Sequence, residues 1–234
     1  MKRDAPVKNN SAKTIPIKGQ SIDNVYNQLK SMMYNQELVP GQKLILQDIA
    51  RRLKTSTTPI LQALNRLENA KLVRYVPNKG FFVAEITENE ARELYQAREA
   101  LEIYLIPTLL ENMTEENISA IRESFRDHQD SNSPDYRRLL MYKDASFHLT
   151  IAKASANQVI VDLLEMVMER IYLKYRSEYL GDERIQKVLK QHRGILDALR
   201  HRDEEKAIQR TKEHIQTGLE HMISSLNNTR LSIL

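Results

Sequence analysis

Cysteine is absent from the 234 residues. Disulfides and thiolate metal sites are therefore excluded, and a reducing cytoplasm fits. No apolar run approaches the roughly 20 residues of a membrane-spanning helix, and the N-terminus carries no apolar signal-peptide core. The expectation is a soluble, cytoplasmic protein with no membrane partner. Acidic charge is scarce at the front, where residues 1–86 hold 14 Lys and Arg against 6 Asp and Glu, while the remainder holds 21 against 25. The net charge of +4 thus conceals a basic front and an acidic back. Only the front attracts phosphate-rich partners through counterion release.

The length suits two modest domains. Residues 1–20 are polar and basic without apolar period and read as a flexible arm. From Ser21, a good N-cap, a helix carries Ile22, Val25, Tyr26, Leu29, Met32 and Met33, and Pro40-Gly41 marks a turn before a short strand from Lys43 to Leu46. Asp48 to Leu67 then reads as two amphipathic helices joined by a tight polar turn, the outline of a helix-turn-helix. Its second helix keeps Ile60, Ala63, Leu64 and Leu67 on one face and Thr58, Leu61, Gln62 and Asn65 on the other, where a DNA groove would meet them. Leu72–Val76 and Phe81–Glu85, separated by Pro77-Asn78-Lys79-Gly80, form a hairpin signal and so a wing, with Arg74 and Lys79 placed for backbone or minor-groove contact.

Residues 22–86 resemble the winged helix-turn-helix domain of the GntR family of bacterial transcription regulators. The resemblance is carried by Leu38-Val39-Pro40-Gly41, Leu44, Ile49-Ala50-x-x-Leu53, Ser56-x-Thr58-Pro59-Ile60, Ala63-Leu64-x-Arg66-Leu67-Glu68, Leu72-Val73, and Gly80 before Val83. It implies binding to a double-stranded DNA operator through Arg51, Arg52, Lys54, Thr57, Thr58, Leu61, Gln62, Asn65, Arg66, Arg74, Lys79 and Gly80. Thr57 and Leu61 stand where the family commonly has DNA-contacting arginines, and Gln62 where it has Glu.

The second half is helical by period. Thr87 and Glu90 form a capping box, opening a helix with the inward stripe Ala91, Leu94, Arg98, Leu101 and Leu105 that Pro107 should kink or end. Thr114 caps a helix with Ile118, Ile121 and Phe125, and Ser131 to Pro134 reads as a loop. Helices follow over about 135–155, 158–179, 183–201 and 203–226. The fold class is mainly α: a winged domain over 21–86 and an all-α bundle of about six helices over 87–228.

Asp144 and His148, at i and i+4, share the helix face of Leu140 and Ile151. His192 falls on the stripe of Ile185, Val188, Ile195 and Leu199, and His214 on that of Ala207, Thr211 and Gly218. Three inward histidines and a carboxylate suit Zn²⁺, Ni²⁺, Mn²⁺ or Fe²⁺. A lone inward His is more often a hydrogen-bonded core residue, and Asp144 alone could pair with a base, because spacing does not bring three helices together. His128, His201 and His221 lack such placement and read as surface residues.

Residues 87–226 resemble the ligand-binding domain of the FadR subfamily of GntR regulators, in its metal-carrying branch. The features are Arg98-x-x-Leu101-Glu102, Asp144-x-x-Phe147-His148 with Ala154 and Asn157, His192-x-x-Ile195-Leu196-x-Ala198-Leu199, and Ala207 before His214. That branch uses one Asp and three His as ligands, so the resemblance implies a divalent metal, Zn or Ni first, on Asp144, His148, His192 and His214. Open coordination sites favour an anionic oxygen ligand, so a small carboxylate effector is expected, with Arg98 gripping its other end or pairing with Glu102. Tyr95, Tyr142 and Tyr172 are candidates to line its pocket.

The leading reading is a homodimeric transcription repressor and not an enzyme. A metal-dependent hydrolase or lyase fused to a nucleic-acid-binding module is the rival, with Glu102 and Glu165 as candidate bases, and a bundle used only for dimerisation is the third reading. Because Gln and Asn pair with adenine and an apolar side chain with the thymine methyl, the groove-facing set of Gln62, Asn65 and Leu61 predicts an A·T-leaning operator. Selection of bound sites from random DNA should enrich A·T pairs at the groove centre; consistent G·C pairs there would refute it.

Overall fold

The computed structural model describes residues 21–129, 136–175 and 180–231. The arm at 1–20 and the loop at 131–134 lie outside the described residues. The elements run α1 (Ile22–Tyr34), β1 (Lys43–Leu44), α2 (Leu46–Leu53), α3 (Thr57–Asn69), β2 (Val73–Val76), β3 (Gly80–Val83), α4 (Glu88–Glu111), α5 (Glu115–Gln129), α6 (Tyr136–Lys153), α7 (Gln158–Lys174), α8 (Asp182–Arg200) and α9 (Glu204–Leu231). None of the described helices is long and apolar enough to cross a membrane.

Ser21 caps α1 by accepting from the Asn24 N–H at 3.2 Å. The strand expected to reach Leu46 stops at Leu44, since Leu46 already begins α2. Between α2 and α3 the turn closes on Lys54, whose φ of 50° is the left-handed conformation that ends a helix sharply. The strands form an antiparallel sheet in the order β1-β3-β2, pairing Arg74 with Phe82. At the wing tip Asn78 (φ 62°) and Gly80 (φ 93°) share the positive-φ positions. Ile60, Ala63, Leu64 and Leu67 pack against Val25 and Leu29 of α1 and Phe81 and Val83 of the wing.

Helices α4 to α9 form the bundle, with α4 in contact with α6, α7 and α9. Half of the expected capping box forms: Thr87 Oγ1 accepts from the Glu90 N–H at 3.2 Å. The Glu90 carboxylate instead accepts from Lys174 Nζ at 2.6 Å and Arg170 Nη2 at 2.7 Å on α7. Pro107 does not end α4, which runs on to Glu111. The missing proline N–H costs a hydrogen bond, but Ile106, Leu109 and Leu110 are buried around it and hold the last turns in the core. Arg202 donates to the carbonyls of Leu110 and Met113 at 2.7 and 2.8 Å, satisfying acceptors at that helix end.

The two halves are joined through the end of α7. Leu173, 3% exposed, belongs to the core of the winged half although it lies on a bundle helix. Lys30 of α1 pairs with Glu169, and the ring of Tyr34 meets that of Tyr142 edge-on at 6.2 Å. Leu173→Ala should therefore destabilise by about 2–5 kcal/mol and lower the unfolding transition of the winged half, measured by calorimetry. A change below about 0.5 kcal/mol would contradict this docking.

Candidate functional site

His148 on α6, His192 on α8 and His214 on α9 converge in the bundle core, each 2% exposed or less. Their Nε2 atoms form a triangle: 3.1 Å from His148 to His192, 3.1 Å from His148 to His214 and 3.4 Å from His192 to His214. Asp144 Oδ1 lies 3.2 Å from His192 Nε2. The spacing that puts Asp144 and His148 one turn apart on α6 thus delivers both to one point, as do the stripes of α8 and α9.

The protonation pattern follows from the other ring nitrogens. His148 Nδ1 lies 2.8 Å from Glu102 Oε2, and Glu102 also accepts from Arg98 Nε at 2.6 Å. Burial alone would raise the Glu102 carboxyl, but His148 and Arg98 outweigh it and hold it at about 2. An ionised carboxylate can only accept, so His148 Nδ1 donates to it, and Nε2 is the nitrogen turned to the triangle, where a cation could take it as a ligand. His214 Nδ1 faces Gln191 Oε1 at 3.3 Å, which orients its ring the same way. Burial pushes the His214 imidazole well below its usual range, and the neighbouring His192 and His148 push it further down. Asp144 would be raised by burial, yet the hydrogen bond and charge of His192, with His148 and His214, hold it well below the carboxylate range.

Neutral imidazoles and an ionised carboxylate are the forms that ligate a cation. Ligands on a cation at bonds of about 2.0–2.2 Å stand about 3 Å apart, close to the separations found. The four residues therefore fit a divalent metal, held by three imidazole nitrogens and one carboxylate oxygen. Tyr172 donates to the second Asp144 oxygen and fixes that carboxylate.

The cluster opens on a cavity of about 70 Å³ lined by Tyr95, Arg98, Asp144, Tyr172, Arg184 and His214, among others. Arg98 is 2% exposed; it pairs with Glu102 and also borders the cavity, with Nη2 3.4 Å from His214 Nε2. Both roles weighed for it are thus compatible. Tyr95 and Tyr172 line the cavity, but Tyr142, a sequence candidate, is 56% exposed and faces Tyr34, because it stands two residues from Asp144 and so on the opposite side of α6. His201 is on the surface as expected, and the side chain of His128 lies outside the described residues. His221 is not a surface residue. It lines the cavity, its Nε2 3.2 Å from the Tyr175 hydroxyl. Arg184 was also missed, although its place eight residues before His192 puts it on the same inward stripe of α8.

The second surface of interest is the exposed face of α3. Thr57, Thr58, Leu61, Gln62 and Asn65 are all exposed, with Leu61 at 42%. Arg51 pairs with Asp48 and Arg52 with Glu37, both exposed ion pairs that hold little energy and can exchange for phosphate. Lys54 and Lys79 are exposed, and Arg74 lies over the Phe82 ring at 4.9 Å. Arg66 is directed at α1: it donates to Asp23 at 2.6 Å and stacks 4.5 Å over the Tyr26 ring.

Residues 21–83 match the bacterial regulatory proteins of the gntR family, and residues 93–217 match the FCD domain. The chain belongs to the gntR-family regulators that carry an FCD domain. The HTH-type transcriptional regulator YdhC of Bacillus subtilis is 26% identical over 84% of this chain and 88% of its own length. McbR of Escherichia coli is 23% identical over 90% of each chain, and the solved McbR/YncC structure superposes with a TM-score of 0.75 over 88% of this chain and 98% of that one. A gntR-family structure from Rhodococcus sp. RHA1 gives the same TM-score at 20% identity, over 87% and 97%.

This gntR-family protein is a DNA-binding transcription regulator and not an enzyme. In the bundle Glu102 is held between Arg98 and His148, and Glu165 is exposed on α7. Neutralising Arg51 or Lys79 to Ala should weaken DNA binding and lower the slope of log affinity against log salt by about 1 each. Arg66→Ala should change that slope less, its charge being committed to Asp23; an equal or larger loss for Arg66 would contradict this, as read by fluorescence anisotropy across a salt series.

Proposed function

We propose that this regulator is a homodimeric repressor with a divalent metal, Zn or Ni, at Asp144, His148, His192 and His214, and that a small carboxylate effector binding beside that site releases the operator. The observation that carries the reading is the convergence of three imidazole Nε2 atoms, 3.1–3.4 Å apart, beside a cavity that Asp144, His214 and Arg98 line. The metal would supply positive charge to an anionic oxygen. Arg98 supplies N–H donors in the same cavity, and Tyr95 and Tyr172 line it.

The route to DNA runs along α7. Tyr172 holds Asp144, the next residue, Leu173, is packed in the winged core, and Lys174 pairs with Glu90 at the start of α4. A ligand that alters the setting of Tyr172 has different contacts in two placements of the winged half, as a shift in operator affinity requires. Support for the dimer comes from α7: Val159, Leu163 and Met166, at i, i+4 and i+7, are 70, 42 and 48% exposed, an apolar stripe suited to a two-fold partner.

A thermal-shift screen of small carboxylates, with and without chelator, tests the reading. Ligands that bind the folded form raise the midpoint by mass action. The expected outcome is a stabilising carboxylate whose effect disappears on chelation and which dissociates the operator complex. If chelation changes neither midpoint nor carboxylate response, the metal-centred reading fails.

A further inference from the structure

The cavity wall carries one half-buried cationic side chain for which the described residues offer no counter-charge. Arg184, at the start of α8, lines its wall. Its Nη1 is buried with no hydrogen-bond partner, and no carboxylate among the described residues pairs with it. A guanidinium N–H removed from water without an acceptor costs free energy that a ligand's anionic group recovers. Its Nη2 rests against α9 at Gly218, where an added Cβ would stand 3.5 Å away and would also meet Tyr95 Cε1 at 3.0 Å. The absent side chain at Gly218 thus lets Tyr95 and Arg184 lie flat on α9. Arg98 stands near the other side of this group, its guanidinium carbon 5.9 Å from the Tyr95 ring centroid. The two arginines differ in one respect: the charge of Arg98 is balanced by Glu102 and that of Arg184 is not.

The charges then sum in a definite way. Glu102 cancels Arg98, and Asp144 removes one charge from a divalent ion on the cluster. With a divalent ion in place and Arg184 counted, the cavity would carry two net positive charges, more than a monocarboxylate neutralises. We propose that Arg184 is a second anion anchor and that the effector is a small organic dianion, one carboxylate directed to the Arg98 and metal end and its second anionic group to Arg184. This rests on the effector reading above. It adds a specificity: the second charge and the spacer between the two groups decide which acids are accepted. A dicarboxylate and a phosphonate-bearing carboxylate share the required chemistry.

Calorimetric titration of the full-length, metal-loaded protein tests this. The probes are the dicarboxylates from malonate to adipate, the monocarboxylates of matched length and the corresponding phosphonocarboxylates. At least one dianion should bind wild type about tenfold or more tightly than its matched monoanion. Arg184→Gln should erase that preference, lowering dianion affinity more than monocarboxylate affinity, while metal content and circular dichroism stay as in wild type. Arg184→Lys, which keeps the charge, should retain part of it and serves if the Gln variant does not fold. Whether dicarboxylates or phosphonocarboxylates bind tighter identifies the second group. A preference that survives in Arg184→Gln, or dianions and monoanions that bind wild type equally, overturns the inference and leaves the effector reading standing. If no carboxylate of the series binds wild type, the effector reading itself falls, and the inference with it.

Discussion

The arrangement depends on one carboxylate. Glu102 accepts from Arg98 at 2.6 Å and faces His148 Nδ1 at 2.8 Å, in a core where an unpaired charge would cost several kcal/mol. Because it is ionised, it decides which nitrogen of His148 carries the proton and therefore which one faces the triangle. It also holds Arg98, 2% exposed, at the cavity wall. Removal of Glu102 would leave a buried guanidinium and an imidazole free to turn, so the cluster and the cavity share a single support on α4.

Burial of so many polar groups makes the bundle costly to assemble and gives it a switchable element. Phe147 stacks on His192 at 4.3 Å between ring centroids, so the apolar core and the cluster are packed against each other without intervening space for slack. Asp144 is tied to Tyr172, and Tyr172 precedes the residue that enters the winged core. Asp144 and the core of the winged half are thus linked through adjacent residues of α7. The ion pairs of Lys30 with Glu169 and of Lys174 with Glu90 close that link from both sides of α7. Packed side chains with discrete settings, rather than a continuously flexible linker, carry such coupling.

Much of this was legible because helical period is a strong signal. The faces of α3, α6, α8 and α9 follow directly from apolar residues at three- and four-residue intervals, and they carried Asp144, His148, His192 and His214 inward. Elements governed by competition were harder. Glu90 has the sequence of a capping box, but Arg170 and Lys174 on a distant helix outbid the local N–H. Pro107 carries a helix-ending signal that the buried residues around it override. Tyr142 is two residues from Asp144 and so on the opposite side of α6, and no period announces that this side touches the winged half. Arg66 carries the family's motif, yet Asp23, 43 residues earlier, claims its side chain. Arg184 and His221 were hidden for the opposite reason. Arg184, in the first turn of α8, reads as solvated until a cavity is seen beside it, and His221 lies seven residues after His214, on the same side of α9.

The proposed function stands on three imidazoles and one carboxylate that meet in a geometry able to hold a divalent metal. X-ray absorption at the metal edge of the purified protein tests it most directly. The account predicts a first shell at about 2.0–2.2 Å dominated by nitrogen and oxygen, with the outer-shell scattering of about three imidazole rings that is lost when His148, His192 and His214 are replaced together. A protein with no metal edge, or a metal whose shell contains no imidazole, would contradict it.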